Sequence, residues 1–196
     1  MELLLIRHGL PEKVVTNDGS PADPPLSTIG LRQAELVAEY LKDVRLDRLY
    51  SSPMRRAHQT AIPLAKEQGL VIETEEGVAE YDRDAGSYIP VEQLKEENYA
   101  QWQNLMKGEM GSVDFRVFYD TAVSSLARIA DDNRGKTIAV TCHGGVVNAW
   151  TANVLGLRPM MFFNPNYTSV SRFKVASTGE KSVITLNEYF HLKGLS

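Results

Sequence analysis

Short apolar runs alternate along the chain with stretches of helical hydrophobic repeat, the pattern of strands that alternate with helices. The first run, Leu3 to Ile6, ends in Arg7-His8-Gly9. It predicts a buried parallel strand that delivers its last side chains to the carboxyl edge of a sheet, where open α/β folds bind ligands. Leu10 to Pro25 is rich in Pro, Gly, Asn and Asp and predicts a long loop overhanging that edge. Ser27 has the chemistry of a helix N-cap, and Ala34, Val37, Ala38 and Leu41 recur at i, i+3, i+4 and i+7 on one face. Leu46 to Tyr50 predicts the next strand. Ser51-Ser52-Pro53 then predicts a cap with proline at the first helical position, and a helix to about Gln68 stopped by Gly69. Pro63 is expected to kink or break that helix, and Leu70 to Glu73 reads as a short strand.

From Gly77 to about Gly111 the rhythm stops, and Tyr81, Tyr88, Tyr99 and Trp102 lie among acidic and amide residues. This is expected to be an insertion, with a helix over Val91 to Lys107, placed as a substrate cap or packed by its aromatics onto the body. A helix is predicted from Val113 to about Asp132, capped by Ser112, with Phe115, Phe118, Ala122, Leu126 and Ile129 on one face. The run Thr137 to Cys142 then repeats the opening pattern and ends in His143-Gly144-Gly145. If the two His-Gly strands are parallel neighbours, their spacing of about 4.8 Å sets His8 and His143 side by side. A helix over Gly145 to Leu155 and strands over Tyr167 to Val175 and Ser182 to Glu188 complete the reading; there is no internal repeat.

The 196 residues, 43% hydrophobic, suit one domain spanning 1–196 with an insertion at about 81–111. No apolar stretch reaches the roughly 20 residues of a membrane span, and the N-terminus lacks the basic start and cleavage site of a secretory signal, so a cytoplasmic location without membrane partners is expected. The single cysteine cannot form an internal disulfide. A net charge of -4 argues against a broad basic footprint for nucleic acid. Any anion site must be local.

Two histidines with Arg7 and Arg56 would form a positive pocket suited to phosphate, whose oxygens match the planar fork of arginine. No HExxH or paired-cysteine spacing is present, so neither metal nor cofactor is expected. Cys142 precedes His-Gly-Gly, but the residue six places on is Asn148 rather than the arginine of a cysteine phosphatase, which predicts a buried structural thiol. His58 is expected at solvent or on a helix flank, and His191 in the tail. Asn166, Thr168 and Ser169 are within reach of the crevice or of strand-end hydrogen bonds.

Three motifs in order, Arg7-His8-Gly9, Ser51 to Thr60 (SSPMRRAHQT) and Val140 to Gly145 (VTCHGG), resemble the histidine phosphatase superfamily, or phosphoglycerate mutase-like family. Asp23 to Ser27 (DPPLS), Gly30 and Gln33-Ala34 extend the likeness over most of the chain outside the insertion. The resemblance implies a three-layer α/β/α sandwich with a mostly parallel central sheet and an insertion capping the active site. It implies His8 as a nucleophile that becomes a phosphohistidine, with Arg7, Arg56, His143 and Gly144 around the phosphoryl group. Of the adjacent arginines the family pattern selects Arg56, leaving Arg55 solvated. Glu80 matches the family's proton donor. Asp82 and Asp84 are its rivals, because Glu80-Tyr81-Asp82-Arg83-Asp84-Ala85-Gly86 departs from the glycine and aromatic-Glu-Gly that usually follow. An unperturbed Glu is protonated only about 0.2% of the time at pH 7, so bound phosphate is expected to raise its pKa.

The implied activity is metal-independent hydrolysis of a phosphomonoester, most simply a phosphorylated small molecule. A cofactor-dependent phosphoglycerate mutase-type transfer is the alternative, disfavoured because Leu10-Pro11-Glu12-Lys13-Val14 stands where mutases continue Glu-x-x-x-Asn. A catalytically silent phospho-ligand binding module is a third reading, and a homodimer is among the assemblies the resemblance allows.

Overall fold

The computed structural model describes residues 1–106 and 115–195. In chain order the elements are β1 (Glu2–Arg7), β2 (Val14–Val15), α1 (Thr28–Tyr40), β3 (Arg48–Ser51), α2 (Arg55–Gln68), β4 (Ile72–Thr74), β5 (Ser87–Tyr88) and α3 (Val91–Glu97). They continue with α4 (Tyr99–Met106), α5 (Phe115–Asp132), β6 (Thr137–Cys142), α6 (Gly144–Leu155), β7 (Val170–Val175) and β8 (Lys181–Glu188). Six strands form one sheet in the order β4-β3-β6-β1-β7-β8. The first four are parallel, and β7 runs antiparallel to both of its neighbours, β1 and β8.

The unbroken apolar run of β1 follows from burial on both faces. Leu3 and Leu5 point into a core with Leu126 of α5 and Trp150 of α6, whereas Leu4 and Ile6 meet Val37 of α1 and Leu64 of α2. Helices therefore cover both sides of the sheet, the predicted three-layer sandwich. Each such side chain contributes roughly 1.5–3 kcal/mol by leaving water, so the centre of the sheet is a firm base for its carboxyl edge.

Several boundaries differ from those the sequence predicts. Helix α2 begins at Arg55 with Met54 as its N-cap, so Pro53 precedes the helix instead of opening it. Pro63 lies within an uninterrupted helix from Arg55 to Gln68; Ala61 and Leu64 on either side of it are buried, so packing holds the helix together across the missing N–H donor. The long loop after β1 is partly ordered by β2, which pairs with β5 of the insertion. The single helix expected over 91–107 is divided at Asn98, whose φ of -147° is extended. Lys107, Gly111, Ser112 and Val113 lie outside the described residues. The first of the late strands starts at Val170 rather than Tyr167, because Thr168 takes a φ of +53°. Among the described residues no helix is long and apolar enough to cross a membrane.

Candidate active site

Strands β1 and β6 are adjacent, with Arg7 level with Cys142 and the His8 N–H donating to the Cys142 carbonyl at 2.9 Å. The next residues are His8 and His143, whose ring centroids lie 5.1 Å apart. Both rings are buried. His8 Nδ1 is 2.7 Å from the Gly9 carbonyl, which can only accept, so the neutral ring carries its proton there and Nε2 keeps a free lone pair. Burial, then the charges of Arg56 and Arg7, hold its pKa well below the usual histidine value. The ring is therefore neutral at pH 7.

His143 Nε2 lies 2.8 Å from Ser52 Oγ, which also accepts the Met54 N–H at 3.2 Å. With the hydroxyl donating to Nε2, the imidazole proton resides on Nδ1, a buried nitrogen without a protein partner among the described residues. Burial, followed by the charges of Arg56, His8 and Arg7, also keeps this ring neutral.

Arg7, at the end of β1, donates from Nη1 to Asn164 Oδ1 at 3.2 Å and to the Pro165 carbonyl, and its guanidinium lies 4.0 Å over the Tyr167 ring. Arg56, in the first turn of α2, is fully buried, packs 4.5 Å over Tyr88 and donates from Nη2 to Asp82 Oδ1 at 2.8 Å. Arg55 is exposed, with its backbone N–H on Asp23. Arg7 Nε, Arg56 Nε and Nη1, and His143 Nδ1 have no protein partners among the described residues. Buried donors left unpaired are costly. Four of them beside His8 suit a multiply charged oxyanion, and Gly144 brings the positive end of α6 to the same cleft.

Glu80 is buried and accepts from the Gly145 N–H at 2.8 Å and the Tyr81 N–H at 3.2 Å. Burial first, and the negative charge of Asp82 second, raise its pKa from 4.5 to about 7. The elevation expected from bound phosphate is thus already present in the protein alone. Asp82 lines the cleft but is committed to Arg56, and Asp84 is exposed.

The fold also gives residues supporting roles that the sequence motifs do not spell out. Thr60 Oγ1 accepts the Gly9 N–H at 3.0 Å and donates to the Arg56 carbonyl at 2.8 Å, tying the His8 turn to α2. Thr168, buried and in the left-handed region, donates its backbone N–H to the His8 carbonyl at 3.3 Å, whereas exposed Asn166 bonds Asn187. Such strain in a β-branched residue persists where its surroundings enforce it. Ser169 accepts the Arg7 N–H through its carbonyl at 3.2 Å. His58 is exposed; His191 is better tied than expected, contacting Thr168 Oγ1 at 3.2 Å and stacking on Tyr40. Cys142 is buried, and burial pushes its thiol pKa upward. The insertion's aromatics divide: Tyr81 and Tyr88 line the cleft, and Tyr99 and Trp102 stack on one another.

Gly145 carries a constraint of its own. A Cβ there would lie 2.2 Å from Glu80 Oε1 and 3.0 Å from Phe118 Cζ. Gly145→Ala is expected to displace Glu80, lowering kcat/KM roughly 100-fold and stability by about 1–3 kcal/mol. Steady-state kinetics and thermal unfolding of the variant check both.

Residues 3–188 match the family described as histidine phosphatase superfamily (branch 1), and the chain belongs to that superfamily. It is 28% identical to phosphoserine phosphatase 1 of Hydrogenobacter thermophilus, over 98% of this chain and 94% of that protein. It is 32% identical to a metal-independent phosphoserine phosphatase of Arabidopsis thaliana, over 76% of this chain and 66% of that one. The crystal structure of a phosphoserine phosphatase from Entamoeba histolytica in complex with 3-phosphoglyceric acid superposes with a TM-score of 0.76 at 25% identity, covering 97% of this chain and 98% of that chain.

Proposed function

We propose that the chain is a metal-independent phosphomonoesterase acting on a small phosphorylated metabolite through a phosphohistidine on His8. The observation that carries this reading is the cluster of four unpaired buried donors on Arg7, Arg56 and His143 beside a neutral His8 whose Nε2 is free. Such a cationic cleft attracts a phosphate dianion and repels a metal cation. The Arabidopsis relative's description as metal-independent is consistent with it. In the first step His8 Nε2 attacks phosphorus, the P–N bond forms, and the ester P–O bond breaks. Glu80 gives its proton to the leaving oxygen, and the arginines and His143 hold the charge on the equatorial oxygens. Water then attacks phosphorus, Glu80 takes its proton, and the P–N bond breaks to release inorganic phosphate. Within a single domain of residues 1–196, the insertion at 81–111 serves as the cap over the leaving group, supported by Tyr81 and Tyr88 at the cleft.

Phosphoserine, suggested by the relatives, is the first substrate to test. Phosphate release from phosphoserine is expected in EDTA and without added bisphosphoglycerate. Robust mutase turnover of 3-phosphoglycerate with negligible hydrolysis would replace this reading with phosphoryl transfer between hydroxyls.

A further inference from the structure

Among the described residues, Asp82 is the acidic neighbour of Glu80 in the cleft that the proposed chemistry leaves without a task. Its carboxylate reaches a cation that is itself buried in the cleft: Arg56 Nη2 lies 2.8 Å from Asp82 Oδ1, with the arginine side chain 1% and the aspartate side chain 20% exposed. A guanidinium can grip a phosphoryl group bidentately through Nε and Nη2 or through Nη1 and Nη2. Asp82 takes a single bond at Nη2, which carries two hydrogens, while Nε and Nη1 stay unpaired. The contact therefore orients the fork and leaves a bidentate face for the substrate.

The backbone holds Asp82 in place. Its carbonyl accepts the Ala85 N–H at 2.9 Å, and the Ala85 carbonyl accepts the Ala22 N–H at 2.7 Å, so the turn carrying Glu80 and Asp82 is tied to the loop after β1. We propose that Asp82 is a positioning residue, whose carboxylate aims the Arg56 fork at the phosphoryl group and sets a negative charge in the cleft that Glu80 lines.

The charged and titratable surroundings of Glu80 agree with that assignment. From its own turn Asp82 and Tyr81 face it, and Arg56 faces it from α2. Buried Cys142 interacts with it from β6, and Arg7, His8 and Tyr88 line the same cleft. Asp82 is the foremost charge acting to raise the Glu80 pKa, second only to burial, and it opposes Arg56 and the Gly145 N–H, which lower it. Two roles thus meet in one carboxylate. It neutralises Arg56, which would otherwise pull the proton off Glu80, and it repels the second negative charge that ionised Glu80 would bring.

This inference rests on the phosphatase reading for its kinetic readout but has one independent of turnover. Carbon-13 titration of the Glu80 carboxyl is expected to show its midpoint falling by roughly one pH unit in Asp82→Asn. In kcat/KM profiles the alkaline limb should move down by the same amount, with about a tenfold loss at pH 8. At pH 5.5, where Glu80 is protonated in both proteins, a residual rise in KM reports the loosened Arg56 fork. Asp82→Glu, which restores the charge, should return the midpoint towards wild type. An unmoved Glu80 midpoint in Asp82→Asn overturns the proposal. So does an alkaline limb that survives Glu80→Gln and vanishes in Asp82→Asn, because Asp82 would then be the acid itself. Wild-type protein that hydrolyses no phosphomonoester would defeat the phosphatase reading, while the carbon titration still decides the role of Asp82.

Discussion

Replacing His8 with alanine is expected to lower phosphomonoester hydrolysis by at least about four orders of magnitude, because no other group among the described residues is placed to form the P–N bond. The neighbouring imidazole cannot substitute readily: His143 Nε2 is engaged by Ser52, and its remaining nitrogen is best suited to donating a proton. Ester binding should survive, since Arg7, Arg56 and His143 all remain to hold the phosphoryl oxygens. Calorimetric titration of His8→Ala with phosphoserine should therefore give an affinity within about tenfold of the wild-type KM, against a kcat near background. The same variant should lose the acid-labile, base-stable phosphoryl label that the wild type acquires from a labelled ester. Retention of the label would place the covalent bond on another residue.

Much of this cleft is legible in the sequence, for a reason particular to β1 and β6. Both strands are buried on two faces, so their positions read as short, largely apolar runs, and each is followed by His-Gly at a carboxyl edge. Adjacency of the two strands converts that repeated ending into a pair of rings 5.1 Å apart. The choice of Arg56 over Arg55 likewise matches a buried side chain beside an exposed one.

What stays hidden depends on contacts that no local pattern encodes. Ser52 meets His143 across 91 positions, and Arg7 meets Asn164 across 157. Ser52 and Asn164 are small polar residues outside helices and strands, where a backbone role is the ordinary reading. Pro63 is a different case: local propensity predicts a kink or a break, and the helix continues from Arg55 to Gln68 with Ala57, Ala61 and Leu64 buried along one face of α2. The division of the insertion at Asn98 carries no such warning, because the residues on either side are compatible with one continuous helix. For Glu80 the sequence points to an elevated pKa and assigns it to bound phosphate. Burial behind Gly145 and the charge on Asp82 already raise it in the protein alone, and neither is visible without the fold.

That elevation makes Glu80→Gln a test in which activity and stability move in opposite directions. The glutamine cannot donate an acidic proton, so hydrolysis of an alkyl phosphate such as phosphoserine should fall by about 10²–10⁴-fold. An aryl ester with a good leaving group, such as p-nitrophenyl phosphate, needs little proton donation and should suffer less in the first step. Stability follows from the direction in which the fold moves the pKa. The folded-state value of about 7 lies above the ordinary 4.5, so the native protein binds the Glu80 proton more tightly than the unfolded chain. As pH rises from 4.5 towards 7 the unfolded chain releases that proton first, and Glu80 progressively favours unfolding. At about 1.36 kcal/mol for each pH unit between the two values, the full penalty above pH 7 is about 3 kcal/mol. Glutamine escapes ionisation but presents an amide donor towards the Tyr81 N–H, which offsets about 1 kcal/mol of the gain. Denaturant unfolding should therefore show Glu80→Gln more stable than wild type by roughly 2 kcal/mol at pH 8, with the advantage lost below pH 4.5. A stability difference that does not change between those two pH values would mean that Glu80 is no harder to ionise in the folded protein than in the unfolded chain. The acid would then have to acquire its proton affinity from bound phosphate.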